Sequence, residues 1–185
     1  MKKWGVKILL VLLFLNFFSC YLFADNFIGK VLYAKFNINY LKNRLHYSNP
    51  RVQSYRFIPV GTKVKITNIS KRWVTFISYQ DNLTYYLKLD GHSTIENNIK
   101  KFFSEKDPKS DIATLSKWEQ NLIDLNRIEK GMSKKAVLYC FGPPYYTPDY
   151  EENRIWIYQG VAWGPFKKRF ALYFDANWKV ADIRY

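Results

Sequence analysis

Short segments in which apolar and polar residues alternate, separated by turns of only a few residues, constrain the fold of this chain more than any other feature. Residues 63–67 alternate with a period of two, and residues 73–79 and 83–89 are two further segments rich in aromatic and β-branched residues. The connections at residues 70–72 and 81–82 are polar. A period of two is typical of a strand with one buried face. We therefore predict three antiparallel strands that follow one another in a meander.

Two earlier apolar segments, residues 29–36 and 51–58, extend this β pattern toward the N-terminus. Residues 59–62 contain a proline, which fixes φ, and a glycine, which permits positive φ, so they predict a turn. Strands this short with frequent turns favour a small barrel or sandwich. We predict that residues 27–92 form a β-rich module of SH3-like size, that is, a small barrel.

Helical spacing replaces the period of two near residue 93. Ser93 and Glu96 have the spacing of a capping box, in which a hydroxyl and a carboxylate satisfy N–H groups at the start of a helix. Residues 104–111 are polar and contain a proline, which is typical of a connection between modules. We interpret residues 93–113 as a helix and a linker. The helix is supported by four apolar residues at helical spacing, Ile95, Ile99, Phe102 and Phe103.

A longer amphipathic helix is predicted after the linker. Ser116 and Glu119 repeat the capping-box spacing. Gly131 lies just beyond the pattern, where a helix commonly ends in a left-handed residue. Five apolar residues at steps of three or four form the predicted buried stripe: Leu115, Trp118, Leu122, Leu125 and Ile128.

A second, shorter helix follows at residues 134–141. Ser133 is its predicted N-cap. Gly142 is predicted to end it, and Pro143 and Pro144 prevent it from continuing.

Three predicted strands, residues 155–158, 169–174 and 178–183, form a second antiparallel meander. The large apolar residues of the middle strand alternate and are expected to face inward. Val180 and Ile183 in the last strand are three residues apart, so we expect them on opposite faces of the sheet.

The first 24 residues are typical of an export signal. Lys2 and Lys3 give a positively charged start, and the dozen or so apolar residues behind them are fewer than the roughly 20 that cross a bilayer. Two cleavage sites compete. Cys20 follows Ser19 as in the lipid-attachment box of bacterial lipoproteins, which predicts a lipid anchor at the periplasmic face of the outer membrane. Cleavage after Ala24 instead predicts a periplasmic or secreted protein, and an uncleaved membrane anchor is the third alternative.

Export also changes the charge and the number of thiols. Residues 1–24 contain three lysines and no acidic residue, so their removal lowers the formal net charge from +14 to +11. Cys140 is then the one remaining thiol unless Cys20 is retained. Its place beside Val137 and Phe141 in a short amphipathic helix predicts a small buried side chain rather than a reactive one.

The C-terminal half contains a series of short motifs. They comprise Gly131, Met132, Val137, Gly142, Pro144, Trp156, Tyr158, Phe174 and Asp175. The order of these motifs resembles the SmpA/OmlA, or BamE-like, domain of small outer-membrane lipoproteins, over about residues 115–185. The resemblance implies an α+β domain of two helices and a three-stranded antiparallel sheet at residues 114–185.

Members of this family are periplasmic-facing lipoproteins that assist the β-barrel assembly machine, and they are adaptors rather than enzymes. The resemblance therefore implies a non-enzymatic role in outer-membrane protein assembly or envelope integrity, with envelope proteins as partners. Typical members carry the lipidated cysteine a few residues before this domain, whereas a β-rich module precedes it here.

No pattern in the sequence predicts catalysis, a metal site or a cofactor. His46 and His92 are the two histidines, and neither has a metal-binding spacing. The sequence contains no nucleophile elbow, dinucleotide fingerprint or phosphate loop. We predict that the protein is not an enzyme and uses no metal or cofactor.

Basic residues supply the clearest binding signal. Clusters of them attract anions, and near an anionic membrane each contributes about 1 kcal/mol. An alternative interpretation is that these lysines are only solvated surface residues. One predicted cluster surrounds the central strands, and a second opens a C-terminal strand. They comprise Lys63, Lys65, Lys71 and Arg72, and Lys167, Lys168 and Arg169.

An exported protein meets phospholipid headgroups, lipopolysaccharide phosphates and wall polymers rather than chromosomal nucleic acid. We therefore predict a monomer whose partners are envelope proteins, including the barrel-assembly machinery, and anionic lipid or wall polymer, with no nucleic acid. The alternative function is a secreted or anchored module that binds a wall polymer such as peptidoglycan through its SH3-like half.

Overall fold

Alternating burial along short strands builds the first half of the protein. The structure, a computed structural model, describes residues 26–46, 56–148, 152–159 and 169–185. The predicted export signal, with Cys20, lies outside the described residues. The first half consists of β1 (Val31–Ala34), β2 (Ile38–Asn39), β3 (Arg44–His46), β4 (Phe57–Ile58), β5 (Lys63–Ile69), β6 (Trp73–Ser78), β7 (Thr84–Lys88), α1 (Ile95–Phe102) and β8 (Phe103–Ser104).

The predicted meander is confirmed, because β5, β6 and β7 pair in sequence order and antiparallel. β1 pairs with the other edge of β5 and with β8, and β3 pairs parallel with β7. The resulting six-stranded sheet has the order β3-β7-β6-β5-β1-β8 and curls into a half-barrel. β2 and β4 form a separate antiparallel pair.

An aromatic core fills the inner side of the half-barrel. The ring of Phe76 lies 5.7 Å from Tyr85 and 5.0 Å from Phe103, measured between ring centroids. α1 adds Ile99 and Phe102, both fully buried. Edge and stacked contacts of this kind stabilise a core beyond the area that they bury.

A second core lies between two helices and a small sheet. Its buried residues come from both longer helices and from all three strands. The sheet is antiparallel with β10 in the middle, and the predicted inward residues of β10 are buried. The protein is therefore a mixed α+β fold. The second half consists of α2 (Lys109–Ile112), α3 (Lys117–Asp124), α4 (Lys134–Phe141), β9 (Ile155–Gln159), β10 (Arg169–Phe174) and β11 (Val180–Arg184).

The segment interpreted as a linker, residues 104–111, is partly structured. It begins in β8, which pairs with β1, and ends in the short helix α2. Lys109 at the start of α2 packs against Gly61 of the first half.

Asn37 joins the two halves through a buried amide. Its side chain is 1% exposed, its Nδ2 donates to the carbonyl of Ile123 at 2.6 Å, and its Oδ1 accepts from the N–H of Val60 at 2.8 Å. Asn126 adds a bond from its Nδ2 to Asn39 Oδ1 at 2.8 Å. These bonds connect residues of the two halves. Separation of the halves would leave buried polar groups without partners, which is costly, so the bonds stabilise the contact between the two cores.

Replacement of Asn37 by alanine is expected to lower the free energy of unfolding by about 2 kcal/mol, because it removes the partners of one buried N–H and one buried carbonyl. Urea denaturation measures the change. Asn68→Ala on the exposed side of β5 is the control and is expected to change the free energy by less than about 0.5 kcal/mol. Equal effects of the two substitutions would contradict this role of Asn37.

The predicted cap of the first helix is wrong by one residue. The N-cap of α1 is Thr94, whose hydroxyl accepts from the N–H of Asn97 at 3.1 Å. The N–H of Ser93 is used in a turn and donates to Asp90 O. The turn shifts the start of the helix away from Ser93.

The predicted apolar stripe of α3 is also partly wrong. Trp118 and Leu125 are exposed, and the helix ends at Asp124. The capping box at Ser116 is confirmed, but it turns the Glu119 carboxylate inward. The buried face of the helix is therefore centred on Glu119, together with Leu122 and Ile123.

Gly131 does not end a helix as predicted, although its φ is +87°. α3 has already ended, and the left-handed residue just beyond its C-cap is Asn126. The N–H of Gly131 instead donates to the carbonyl of Val180. Gly131 thus places the chain before α4 beside the last strand.

Val180 and Ile183 pack against the same core, so the prediction of opposite faces is wrong. The pairing register shifts between Tyr173 and Phe174, which leaves Ala181 without a partner across the strands. A bulge of this kind inserts one residue and restores the inward direction of the next apolar side chain.

Candidate anion-binding face

The outward positions of five neighbouring strands form one surface, which we call the outer face. Alternate residues of β1, β3, β5, β6 and β7 are buried in the half-barrel, so the residues between them point to solvent. Not one of these described outward positions is an aspartate or a glutamate. The outer face consists of Val31, Tyr33, Arg44, His46, Lys63, Lys65, Asn68, Trp73, Thr75, Ile77, Thr84, Tyr86 and Lys88.

Strand register places basic residues at two separate ends of the outer face. At one end, Arg44 lies opposite Tyr86 and Lys88 lies opposite Trp73. Arg72 lies in the turn at this end, where its carbonyl accepts from the N–H of Leu89. We call Arg44 and Lys88, which both belong to the outer face, the first cationic group.

Lys63 and Lys65 on β5 form the second cationic group at the opposite end. Lys65 pairs with Ile77 on one side and with Val31 on the other. Both lysines are exposed. The positive charge of the outer face is thus divided between two places rather than spread evenly.

An uncharged strip separates the two groups. It consists of Trp73, Thr75 and Ile77 along β6, and Tyr86 on β7. Tyr86 is 42% exposed, and the three β6 residues are half-buried. The strip therefore presents two aromatic rings and two hydroxyl groups between the cations.

Aromatic rings hold two of the basic side chains in place. The guanidinium carbon of Arg44 lies 5.9 Å from the ring centroid of Trp73, and Lys63 Nζ lies 5.8 Å from that of Tyr33. Contacts of this length are attractive cation–π interactions. They orient the cations without neutralising their charge.

Two carboxylates close to the ends of these strands accept hydrogen bonds from groups outside the outer face. Asp90, two residues beyond Lys88, accepts from the N–H of His92. Asp81, in the turn between β6 and β7, accepts from the Tyr85 hydroxyl and from the N–H of Leu83. Burial acts to raise the pKa of Asp81, but these hydrogen bonds outweigh it and leave the pKa lowered. Asp81 therefore stays ionised without pairing with the cations of the outer face.

The second predicted basic cluster is only partly visible. Arg169 is exposed at the start of β10. Lys167 and Lys168 lie outside the described residues. Lys71, predicted with the first cluster, is exposed in the turn before β6.

The motif residues of the C-terminal half form structure rather than an open site. Gly142 ends α4, and Pro144 follows it half-buried. Asp175 closes the turn before β11 by accepting from the N–H groups of Asn177 and Lys179. The remaining motif residues are buried: Met132, Val137, Trp156, Tyr158 and Phe174.

The other residues considered for chemistry lie apart. Cys140 is buried as predicted, and its thiol lies 3.3 Å from the carbonyl of Arg127. His92 is exposed in the turn before α1, and His46 lies at the end of β3. Within the described ranges, no three His, Cys, Asp or Glu side chains are grouped as a metal site would require. No helix in that part of the chain is long and apolar enough to span a bilayer.

Sequence reasoning identified the lysines of β5 but missed Arg44, Lys88 and the uncharged strip. The alternation of β7 places Tyr86 and Lys88 on one side, which was a usable signal. The position of Arg44 was not predictable in this way, because β3 pairs parallel with a strand some 40 residues later. A scan of protein-family models and searches of curated proteins and of solved structures find no match to this chain.

Proposed function

We propose that this protein is a non-enzymatic binding protein of the bacterial cell envelope, which uses the outer face to hold an anionic envelope component. The observation that carries this proposal is the outer face itself, with cations at both ends and no acidic side chain among its described positions. Net positive charge concentrated on one surface attracts anionic partners and accelerates their association. The export signal predicted for residues 1–24 is the reason for proposing partners in the envelope.

We further propose that the C-terminal half is a BamE-like domain with an adaptor role toward envelope proteins, including the barrel-assembly machinery. Two helices followed by a three-stranded antiparallel sheet support this assignment. The hydrogen bonds of Asn37 join this half to the half-barrel. A partner bound by one half is therefore held close to a component bound by the other. Lipid attachment at Cys20 would place the protein at the periplasmic face of the outer membrane.

The second candidate function is binding of a wall polymer such as peptidoglycan by an SH3-like half. The exposed aromatic ring of Tyr86 and the half-buried ring of Trp73 favour it, because aromatic side chains are common in surfaces that bind polymers of sugar rings. The two candidates are distinguished by what the protein binds in a sedimentation assay. The first predicts binding to anionic vesicles, and the second predicts binding to purified sacculi.

Charge reversal of the second cationic group tests the proposal. The K63E/K65E variant is expected to bind vesicles containing phosphatidylglycerol at least about tenfold more weakly than the unaltered protein, since each basic residue contributes about 1 kcal/mol at an anionic surface. Co-sedimentation at several salt concentrations measures the change, and the same assay with purified sacculi tests the second candidate.

The matched control is K117E/K135E, which makes the same charge change at two exposed positions of α3 and α4. Its affinity for the vesicles is expected to stay within about twofold of that of the unaltered protein, and the small change reports the general effect of net charge. Equal losses in the two variants would show that only net charge matters and would contradict the proposed site. Reversal at Lys167, Lys168 and Arg169 measures the contribution of the second basic cluster in the same assay.

A further inference from the structure

We infer that the ligand of the outer face is a phosphate-bearing oligosaccharide, with phosphates at the two cationic groups and sugar rings on the uncharged strip between them. This inference rests on the proposed function and names the class of anion. It depends on three properties of the outer face: the separation of the cations, the chemistry of the strip and the curvature of the sheet.

The separation of the cations requires a ligand with two distant negative groups. From Trp73, beside Lys88, to Ile77, beside Lys65, β6 advances four residues, or about 13 Å. Lys88 and Lys65 are also two strands apart, which adds about 10 Å across the sheet. A single phosphate cannot contact both groups at this separation. A short molecule with a phosphate at each end can, because lysine and arginine side chains are long enough to extend toward it.

The chemistry of the strip is suited to sugar rings. Trp73 and Tyr86 offer aromatic surface, which packs against the C–H faces of a pyranose. Thr75 and the Tyr86 hydroxyl lie on the same strip and are both donors and acceptors for sugar hydroxyls. A site for a bare polyanion would gain nothing from an uncharged stretch at its centre.

The curvature of the sheet distinguishes an oligosaccharide from a bilayer. The core fills the inner side of the half-barrel, so the outer face is convex. A flat membrane surface touches a convex face along a narrow zone and cannot contact both cationic groups fully. A flexible oligosaccharide can follow the curve.

Binding of three synthetic probes to the full chain tests the inference. The probes are a glucosamine disaccharide with one phosphate at each end, the same disaccharide without phosphates, and inorganic polyphosphate. We expect the bisphosphorylated disaccharide to bind at least about tenfold more tightly than the unphosphorylated one, since both cationic groups then have partners. R44E/K88E and K63E/K65E should each weaken binding of the bisphosphorylated disaccharide at least about tenfold.

Trp73→Leu separates the sugar from the phosphates. We expect it to weaken the bisphosphorylated disaccharide at least about fivefold, since loss of ring stacking commonly has an effect of this size. Binding of polyphosphate should weaken less, by about twofold, because the substitution removes only the contact between the Trp73 ring and Arg44 from the cations. Tyr86→Thr, at a more exposed position of β7, provides a second variant that preserves strand propensity. Trp118→Leu, at an exposed position of α3, is the aromatic control and should leave the binding of both probes unchanged.

Two statements can be overturned separately by these measurements: the assignment of sugar rings to the uncharged strip, and the binding of anions by the outer face. If Trp73→Leu and Tyr86→Thr keep the thermal transition of the unaltered protein but weaken both probes equally or neither, the sugar assignment is wrong. It is also wrong if polyphosphate, anionic vesicles or a single-stranded oligonucleotide bind as tightly as the bisphosphorylated disaccharide. In that case the proposed anion-binding function survives. If no anionic probe binds the full chain at low salt, the proposed function itself fails.

Discussion

Replacement of Gly142 by alanine is expected to lower the free energy of unfolding by about 4 kcal/mol. Gly142 has φ +72° and ψ −167°, a region that is essentially restricted to glycine and costs other residues about 1–3 kcal/mol. A Cβ at this position would lie 2.7 Å from the ring of Phe36, which is itself buried. Overpacking of this kind adds about 1–3 kcal/mol. Because Phe36 belongs to the core of the first half, the substitution disturbs the contact between both halves.

Two other glycines separate backbone strain from steric overlap. Gly29 has φ +83° but open space where a Cβ would be, so Gly29→Ala is expected to cost about 1 kcal/mol. Gly91 has open space and no left-handed backbone, and its replacement should cost less than about 0.5 kcal/mol. Urea denaturation of the three variants measures the series. An effect of Gly142→Ala no larger than that of Gly29→Ala would show that Phe36 moves aside and that the two halves are not closely packed there.

Loss of the Glu119 carboxylate is the second large effect that we expect. Its side chain is 6% exposed and accepts from the N–H of Ser133 at 2.8 Å and from the hydroxyl of Ser116 at 2.9 Å. Lys179 Nζ on the chain leading into β11 lies 3.6 Å away. One carboxylate thus connects the starts of both helices to the small sheet.

The pKa of Glu119 shows how strongly the fold favours its ionised form. Burial acts to raise this pKa, but the hydrogen bonds from Ser133 and Ser116 and the charge of Lys179 outweigh burial and lower it to about 2, from an ordinary value of 4.5. A difference of this size corresponds to about 3 kcal/mol of stability. Because the folded pKa is the lower one, this stability is fully present above pH 4.5 and is lost as the pH falls toward 2.

Glu119→Gln is therefore expected to lower the free energy of unfolding by about 3 kcal/mol at pH 7. In the unaltered protein this free energy is expected to decrease as the pH falls from 5 to 2, and the variant should lack most of that decrease. Denaturation at a series of pH values measures both effects. A smaller pH dependence should remain, since hydrogen bonds from Arg184 and Lys130 also lower the pKa of Asp182 to about 2.

Glu105→Gln is the control for loss of a charge. Glu105 is exposed and lies 3.5 Å from Lys30, so its substitution should change the free energy of unfolding by less than about 0.5 kcal/mol. If Glu119→Gln were as harmless as this control, or kept the full pH dependence of the unaltered protein, Glu119 would not connect the helices to the sheet as described.

Local patterns predicted the elements whose cause lies within a few residues. The caps at Ser116 and Ser133 and the helix end at Gly142 were predicted from spacing alone, and the structure confirms all three. Each depends on hydrogen bonds or backbone angles of near neighbours. The Thr94 cap was missed because two hydroxyl residues stand side by side, and an adjacent turn decides between them.

The candidate site was predictable only in part. Lys63 and Lys65 follow from the alternation of one strand, whereas the first cationic group requires β3 to lie parallel beside β7. That pairing depends on contacts between distant residues, which no local pattern encodes. The two groups and the strip between them therefore became visible only with the sheet in place.

The sequence by itself determined the period of each segment, the positions of most turns and caps, and the excess of basic residues, because these depend on residue type and on neighbours in the chain. The tertiary structure decided which way the ambiguous side chains point. It buried Asn37 between the halves, turned Glu119 inward and placed Val180 and Ile183 on one face through a bulge. The physical reason is that a polar group is buried only where distant partners satisfy it, and those partners are assembled by the fold.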